Sequence, residues 1–353
     1  MKAILKSSPE KGLTFTTNAP EPQVVSQSDV KIRVMATAIC GTDIDIYKSD
    51  PDLTHRMRPA MPVVTGHEFC GEVVAVGGDV VRCKAGDFVS AEMHILCGEC
   101  VNCRTGNGHA CIDTIIKGID ADGCFAEYVV VPASNVVKLP EDLPVEVAAF
   151  LDAIGNAVHT LTPVSVVAKR VAILGAGPIG IMGAKIAKLS GAREVLITDV
   201  NQGLLDIAAK HGADQTFNVG TEQGRQAFID TCKNDPAARG VDTVLELSGH
   251  PSAYKDLFQC VRMGGEVVLL GLPREPLTVN FTRDIIFKGL TIHGIIGRRT
   301  YDTWFRMLGL IQAGLLDTLK AMVTHQFPLE DFQKGFDIKL KGEGLKVIFK
   351  PGE

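Results

Sequence analysis

No stretch of this sequence stays apolar for the ~18 residues that a membrane-spanning helix requires, because glycine, proline or a charge interrupts every run well short of that length. Charge of one sign does not accumulate either. The 36 Lys and Arg stand against 41 Asp and Glu, a formal net charge of −5 with no long block, which argues against a nucleic-acid partner. Internal repeats and low-complexity segments are absent. The opening Met1-Lys2-Ala3-Ile4-Leu5-Lys6 holds only three apolar residues in a row before a charge, short of the core of a secretory signal, so the cytoplasm is the expected location. What the chain does have is size: 353 residues at 46% hydrophobic content can bury a sizeable core, and that length suggests two domains.

The texture changes along the chain. Up to about Val137, short β-branched runs (Val30 to Thr37, Phe69 to Val76, Asp87 to Ala91, Phe125 to Val131) alternate with glycine and proline, the punctuation of a β-rich barrel or sandwich. From Lys169, apolar runs at Val171 to Leu174, Val195 to Thr198, Thr243 to Leu247, Glu266 to Leu270 and Thr291 to Ile295 alternate with helical stretches. These stretches are Ile179 to Ser190, Gln202 to His211, Gln223 to Cys232 and Ser252 to Val261. Such alternation predicts a parallel sheet with helices on both faces. Beyond about Ile296 it stops. A periodic helix from Tyr301 to Ala313 and a last strand near Lys346 to Phe349 are expected to return to the first domain.

Gly175-Ala176-Gly177-Pro178-Ile179-Gly180 follows a predicted strand and opens a predicted helix. In a dinucleotide site these glycines permit the tight turn, the backbone's approach to a pyrophosphate and close helix packing. Asp199, ending the next strand, stands where a carboxylate accepts hydrogen bonds from the adenosine ribose and repels a 2′-phosphate, so NAD is expected over NADP.

Ten cysteines in a long chain without secretory signals point to metal or catalysis rather than disulfides. Cys97, Cys100, Cys103 and Cys111 share one glycine-containing loop, and four thiolates with no open position make a closed, structural zinc site. A redox pair or an iron–sulfur cluster would use similar ligands, but no second cluster motif accompanies them. Cys40 in Cys40-Gly41-Thr42-Asp43 and His67 in Gly66-His67-Glu68 lie beside glycines that would let backbone approach a metal. Taken singly, each is as well read as a core residue.

The whole chain resembles the zinc-containing medium-chain alcohol dehydrogenases. The matching elements come in that family's order: Cys40-Gly41-Thr42-Asp43, Gly66-His67-Glu68, Gly71-Glu72-Val73-Val74, Gly86-Asp87, the four-cysteine loop, Gly123 to Tyr128 and the glycine turn. Within the family it is most similar to the threonine dehydrogenase branch, through His94-Ile95-Leu96-Cys97-Gly98, Gly155-Asn156-Ala157-Val158-His159-Thr160, Gly297-Arg298 and Thr303-Trp304. The resemblance implies a GroES-like β-rich catalytic domain from residues 1–155 and 296–353 and a central Rossmann NAD-binding domain, 156–295, in a homotetramer. It implies two zincs per subunit, one structural at the four cysteines and one catalytic, held by Cys40 and His67 with Glu68 and Asp152 as further or alternating ligands.

The implied chemistry is oxidation of a secondary alcohol, with zinc lowering the proton affinity of the substrate hydroxyl and hydride passing to NAD. Thr42 would relay the proton and His94 would reach the substrate pocket. Gly175, Gly177, Ile179, Gly180, Asp199, Leu270, Gly271, Leu272, Ile295 and Ile296 would meet the cofactor. Arg298 and Trp304 would recognise a substrate carboxylate or, for Trp304 at helical spacing with Leu308 and Ile311, belong to the core.

Departures from the branch cluster near substrate and cofactor. Five residues after Cys40, Asp45 stands where many relatives carry a relay histidine. Lys48-Ser49-Asp50-Pro51 replaces a tryptophan-bearing stretch, Ala153 replaces the proline after Asp152, and Leu204 stands where an arginine is common. Asp45 either keeps the relay or marks a polyol or sugar-acid substrate, as in the sorbitol dehydrogenase branch. A third possibility is a zinc- and nucleotide-binding regulator that has lost turnover, against which the intact Cys40, Thr42, His67 and Glu68 argue.

Overall fold

A computed structural model describes residues 1–352. They form two compact units. One comprises Met1–Ala153, Thr300–Trp304 and the chain from Leu319 onward; the other comprises Ile154–Arg299 and Phe305–Thr318.

In the first unit, Asp29–Ala38 is the central strand. It pairs antiparallel with Phe69–Val76, with Tyr128–Pro132 and with the chain's last strand, Lys346–Lys350. Val323–Pro328 continues the sheet on one side, and Phe88–Ala91 and Val136–Lys138 on the other. The inward residues Val30, Ile32, Val34, Phe69, Val73 and Val89 are buried, as the period of two requires of a sheet with one face on a core. The C-terminal elements are tied to this core by rings: Phe349 meets Phe125 edge-on at 5.7 Å and stacks on Phe336 at 6.4 Å. Such pairs contribute about 0.5–1.5 kcal/mol each beyond burial.

The second unit is a six-stranded, wholly parallel sheet. Its order is Gln215–Asn218, Glu194–Asp199, Arg170–Leu174, Val241–Glu246, Val261–Leu269, Thr291–Gly294. Arg170–Leu174, in the middle, is buried at every position, because helices cover both faces and no alternation is needed. Between the strands lie the helices Pro178–Leu189, Gln202–Lys210, Glu222–Lys233 and Pro251–Cys260. Asn201 caps the second by accepting the Gly203 and Leu204 N–H groups, and Thr221 caps the third at Gly224 N–H. This is the doubly wound fold expected from the sequence, and its strand order reverses beside Arg170–Leu174, where such folds bind nucleotides.

The expected single return of 296–353 to the first unit is interrupted. The helix Asp302–Leu310 runs into a wide turn, Ile311–Leu315, broken at Gly314 (φ 112°), which packs on helix Pro178–Leu189; Phe305–Thr318 therefore groups with the second unit. Among the described residues, no helix is long and apolar enough to cross a membrane.

Candidate active site

Cys40 stands at the N-terminus of helix Gly41–Lys48. Its backbone N–H donates to Asp43 Oδ2 at 2.8 Å, a capping arrangement that fixes the cysteine at the helix start. Asp43 is fully buried, and its other oxygen lies 3.8 Å from His67 Nδ1. Glu68 is held from both ends. Its carbonyl accepts the Thr37 hydroxyl at 2.6 Å, and its Oε2 accepts Lys346 Nζ at 2.6 Å, with the ammonium 5.4 Å from the centre of the Phe150 ring. The result is that one ligand atom each from Cys40, His67 and Glu68 lies within 4.8 Å of the others.

The donor set fits zinc. Buried polar atoms are nearly always paired, yet His67 Nδ1, Glu68 Oε1 and Asp43 Oδ1 are buried without a hydrogen-bond partner. A thiol, an imidazole and a carboxylate oxygen together are ligands that zinc accepts. The electrostatics agree. Burial pushes His67 down, but the negative charges of Cys40, Asp43 and Asp152 outweigh it and lift the imidazole to about 10; burial likewise lifts Asp43 to about 6. The lift on His67 reports a pocket with an excess of negative donors, suited to a cation.

Thr42 Oγ1 lies 3.9 Å from Cys40 Sγ, so the expected relay hydroxyl adjoins the cluster. Asp45, on the same helix, is half-buried, and its carbonyl receives the Asp50 N–H. Asp152, in the first turn of helix Leu151–Leu161, is 5% exposed and is felt by His67 as charge, but it is not one of the three atoms that converge. His94 opens the short strand His94–Ile95; its Nδ1 is 3.0 Å from Glu92 Oε1. Trp304 is fully buried and donates its indole N–H to Glu92 Oε2 at 3.0 Å, which makes it core rather than a pocket cover.

The second donor set is Cys97, Cys100, Cys103 and Cys111, whose sulfurs all lie within 4.8 Å of one another. The Cys97 and Cys111 sulfurs are 3.5 Å apart, and the Cys100 N–H points at Cys97 Sγ at 3.4 Å. Backbone N–H groups, that of Cys97 foremost, draw the Cys111 thiol down to about 6, favouring the thiolate a metal needs. All ten cysteines are free of disulfides, and four convergent thiols with no open position fit a closed tetrahedral zinc site.

In the second unit, Gly175 adopts φ +108°, and a Cβ on Gly180 would stand 1.9 Å from Gly175 O, so both glycines are required by the turn itself. Gly177 is different. A Cβ there would meet nothing within 4 Å, so the protein itself leaves this position open, at the N-terminus of helix Pro178–Leu189, where backbone N–H groups favour an anion. Asp199 Oδ2 accepts the Ala176 N–H at 2.8 Å, which turns the carboxylate toward the glycine loop. Leu270 and Gly271 donate their N–H groups to Glu246 O at 3.0 Å, and Ile295 donates to Leu269 O at 2.9 Å, so both turns leave from strand ends on the same edge of the sheet as the glycine loop. Leu272 and Ile296 are exposed, at 86% and 63%.

Three contributors were missed in the sequence: Asp43, Glu92 and Lys346. Asp43 had a signal, its spacing of three from Cys40 at a helix start. Lys346 had none, since it reaches Glu68 across 278 positions of sequence.

Residues 26–141 match the alcohol dehydrogenase GroES-like domain, and residues 178–313 match the zinc-binding dehydrogenase family. The chain belongs to the zinc-dependent medium-chain alcohol dehydrogenase family, enzymes that oxidise a CH–OH group. Its similarity extends end to end to two L-threonine 3-dehydrogenases. That of Bacillus licheniformis is 43% identical and that of Proteus mirabilis 45%, each over 99% of both chains. A protein from E. coli CFT073 described as a short chain alcohol dehydrogenase, solved with NADH, superposes with a TM-score of 0.86 at 26% identity, covering 99% of each chain.

Proposed function

We propose that the chain is an NAD-linked L-threonine 3-dehydrogenase that converts L-threonine to 2-amino-3-oxobutanoate. The observation that carries the alcohol chemistry is the convergence of Cys40, His67 and Glu68, with unpartnered buried lone pairs, beside the Thr42 hydroxyl. Support for threonine is the full-length likeness to L-threonine 3-dehydrogenases, and support for NAD is the Asp199 carboxylate turned toward the glycine loop.

Cys40, His67 and Glu68 would hold the catalytic zinc, with Asp152 as an alternate ligand, and Cys97, Cys100, Cys103 and Cys111 would hold the structural one. When bound, the catalytic zinc supplies a Lewis acid that lowers the proton affinity of the substrate hydroxyl, and NAD supplies the hydride acceptor. Asp43 anchors Cys40 through its backbone N–H and sets a negative charge 3.8 Å from His67, the support that ligands need to keep their geometry. Lys346 neutralises Glu68 and governs how freely its other oxygen engages the site. Thr42 accepts the hydroxyl proton and passes it on, and Asp45 on the same helix takes it further, in place of a histidine. His94 binds substrate. Gly175, Gly177, Ile179, Gly180, Leu270, Gly271, Leu272, Ile295 and Ile296 would line the cofactor, and Asp199 would accept from its ribose. The working form is a cytoplasmic homotetramer, which a sedimentation mass of one chain would refute.

A second reading, a polyol or sugar-acid dehydrogenase of the same mechanism, is favoured by one feature: the carboxylate of Asp45 where relatives carry a histidine. Steady-state rates of the zinc-loaded protein on L-threonine, sorbitol, xylitol and sugar acids, with NAD and NADP in parallel, decide between the two. Turnover of L-threonine with NAD at a kcat/KM well above that of any polyol supports the first reading, and the reverse order supports the second.

A further inference from the structure

Glu92 is a fully buried carboxylate outside both metal clusters, and each of its oxygens meets a donor. Oε1 accepts the backbone N–H of His94 at 3.0 Å and faces the ring Nδ1 at 3.0 Å; Oε2 accepts the Trp304 indole N–H at 3.0 Å. The Trp304 indole nitrogen has no acceptor capacity, and neither does a backbone N–H. The carboxylate is therefore an acceptor on both oxygens, and for the imidazole to join it Nδ1 must carry the hydrogen. In the neutral imidazole that leaves Nε2 as the nitrogen with a lone pair.

Asn135, 2% exposed, donates its side-chain amide to Glu92 O at 2.7 Å and to His94 O at 3.0 Å, so the backbone at both residues is fixed as well as the side chains. Trp304 comes from the short returning segment Thr300–Trp304, in which Tyr301 is held at φ +68°, a region that few non-glycine residues enter. Only the imidazole of His94 emerges from this assembly, its side chain 30% exposed. A buried carboxylate gripping the inner nitrogen of a half-exposed histidine is the arrangement by which a protein sets a tautomer and aims the outer nitrogen.

We propose that Glu92, locked by Trp304, is a positioning residue that fixes His94 in its Nδ1–H tautomer and presents Nε2 as a hydrogen-bond acceptor to the substrate's hydroxyl or ammonium group. This rests on the assignment of His94 to substrate binding. It also assigns Trp304 a role that its burial alone conceals: the indole is the second donor that keeps Glu92 an acceptor.

Two measurements test it. In zinc-loaded protein with 15N-labelled histidine, the His94 ring should show a protonated Nδ1 and a bare Nε2. Glu92→Gln, which cannot accept from both His94 Nδ1–H and Trp304 Nε1–H, should convert it to a mixture or to the Nε2–H form, and Trp304→Phe should shift it partway. An unchanged tautomer in both variants overturns the proposal without touching the substrate assignment. In kinetics, Glu92→Gln and His94→Ala should each raise KM for substrate and lower kcat/KM, by up to about 100-fold for a group misplaced by an ångström. Combining them should cost nothing beyond His94→Ala alone. Losses that multiply would mean that Glu92 braces the fold without acting through His94, and would sink the proposal. If His94→Ala leaves kcat/KM unchanged, the substrate assignment falls and takes the acceptor role of Nε2 with it, while the tautomer measurement still reports on the clamp.

Discussion

Replacing Lys346 by methionine tests how the zinc-site carboxylate is supported. The Lys346 ammonium bonds Glu68 Oε2 at 2.6 Å, with side chains 4% and 0% exposed, so neither charge has water to fall back on. Removing one member of a buried pair leaves the other uncompensated, a loss of about 3–5 kcal/mol. For a unit of this size each kcal/mol shifts the midpoint by about 2–4 °C, so Lys346→Met should melt on the order of 10 °C below the parent in differential scanning calorimetry of zinc-loaded protein. Glu68→Gln alone should cost a comparable amount. The double variant, with no buried charge left in the pair, should recover much of the loss, because the penalty belongs to the unpaired charge and not to either side chain. A Lys346→Met protein melting within about 2 °C of the parent, or a double variant showing the sum of the single losses, would refute this reasoning.

Other perturbations are as specific. Cys103→Ser should lower the zinc content, by atomic absorption, from two per chain to one while leaving the Cys40–His67–Glu68 zinc in place, since the two donor sets share no residue. Gly177→Ala should fold with an unchanged melting temperature yet bind NAD more weakly by titration, because its Cβ meets nothing in the protein, whereas Gly180→Ala should be destabilised as well, its Cβ standing 1.9 Å from Gly175 O. Asp199→Ala, which removes a charged acceptor worth about 1.5–3 kcal/mol, should lower kcat/KM for NAD by about 10- to 100-fold and raise relative use of NADP. The pH dependence follows from His67. Its value is raised from 6.5 to about 10, so in metal-free protein it contributes stability that is complete below pH 6.5 and is lost as pH rises through about 10. Zinc must displace that proton. Zinc affinity at this site, measured by competition with a chelating dye, should therefore rise at least about tenfold per pH unit up to about pH 10, and a pH-independent affinity would contradict the assignment.

How much of this was legible in the sequence depends on the range of the interactions involved. The parallel sheet was legible because Val171 to Leu174 and its counterparts are apolar runs punctuated by glycine and capping residues, signals that act within a few positions. The edge strand Gln215–Asn218 was not, since it carries Gln, Thr, Phe and Asn, with no buried position, and owes its existence to pairing with Glu194–Asp199. Helix Gly41–Lys48 escaped notice for a related reason: its Gly-Thr-Asp start has poor helical propensity, and it is held by the Asp43 cap and by burial of Ile44 and Ile46. The four-cysteine loop and the glycine turn are local in sequence and were readable from spacing. Cys40 and His67 needed the family resemblance, because they stand 27 positions apart and no spacing rule links them. The hydrogen bond that braces their carboxylate neighbour, from Lys346 to Glu68, spans 278 positions, and the one from Trp304 to Glu92, outside the cluster, spans 212; both exist only in the folded chain.

The most direct test of the whole account is NADH formation from L-threonine by the purified protein, followed before zinc removal, after dialysis against a chelator, and after zinc is returned. The account predicts turnover that disappears with the metal, returns with it, and is lost for good in Cys40→Ser. Turnover that survives in protein shown to hold no zinc, or no turnover of L-threonine by protein holding both zincs and NAD, would contradict it.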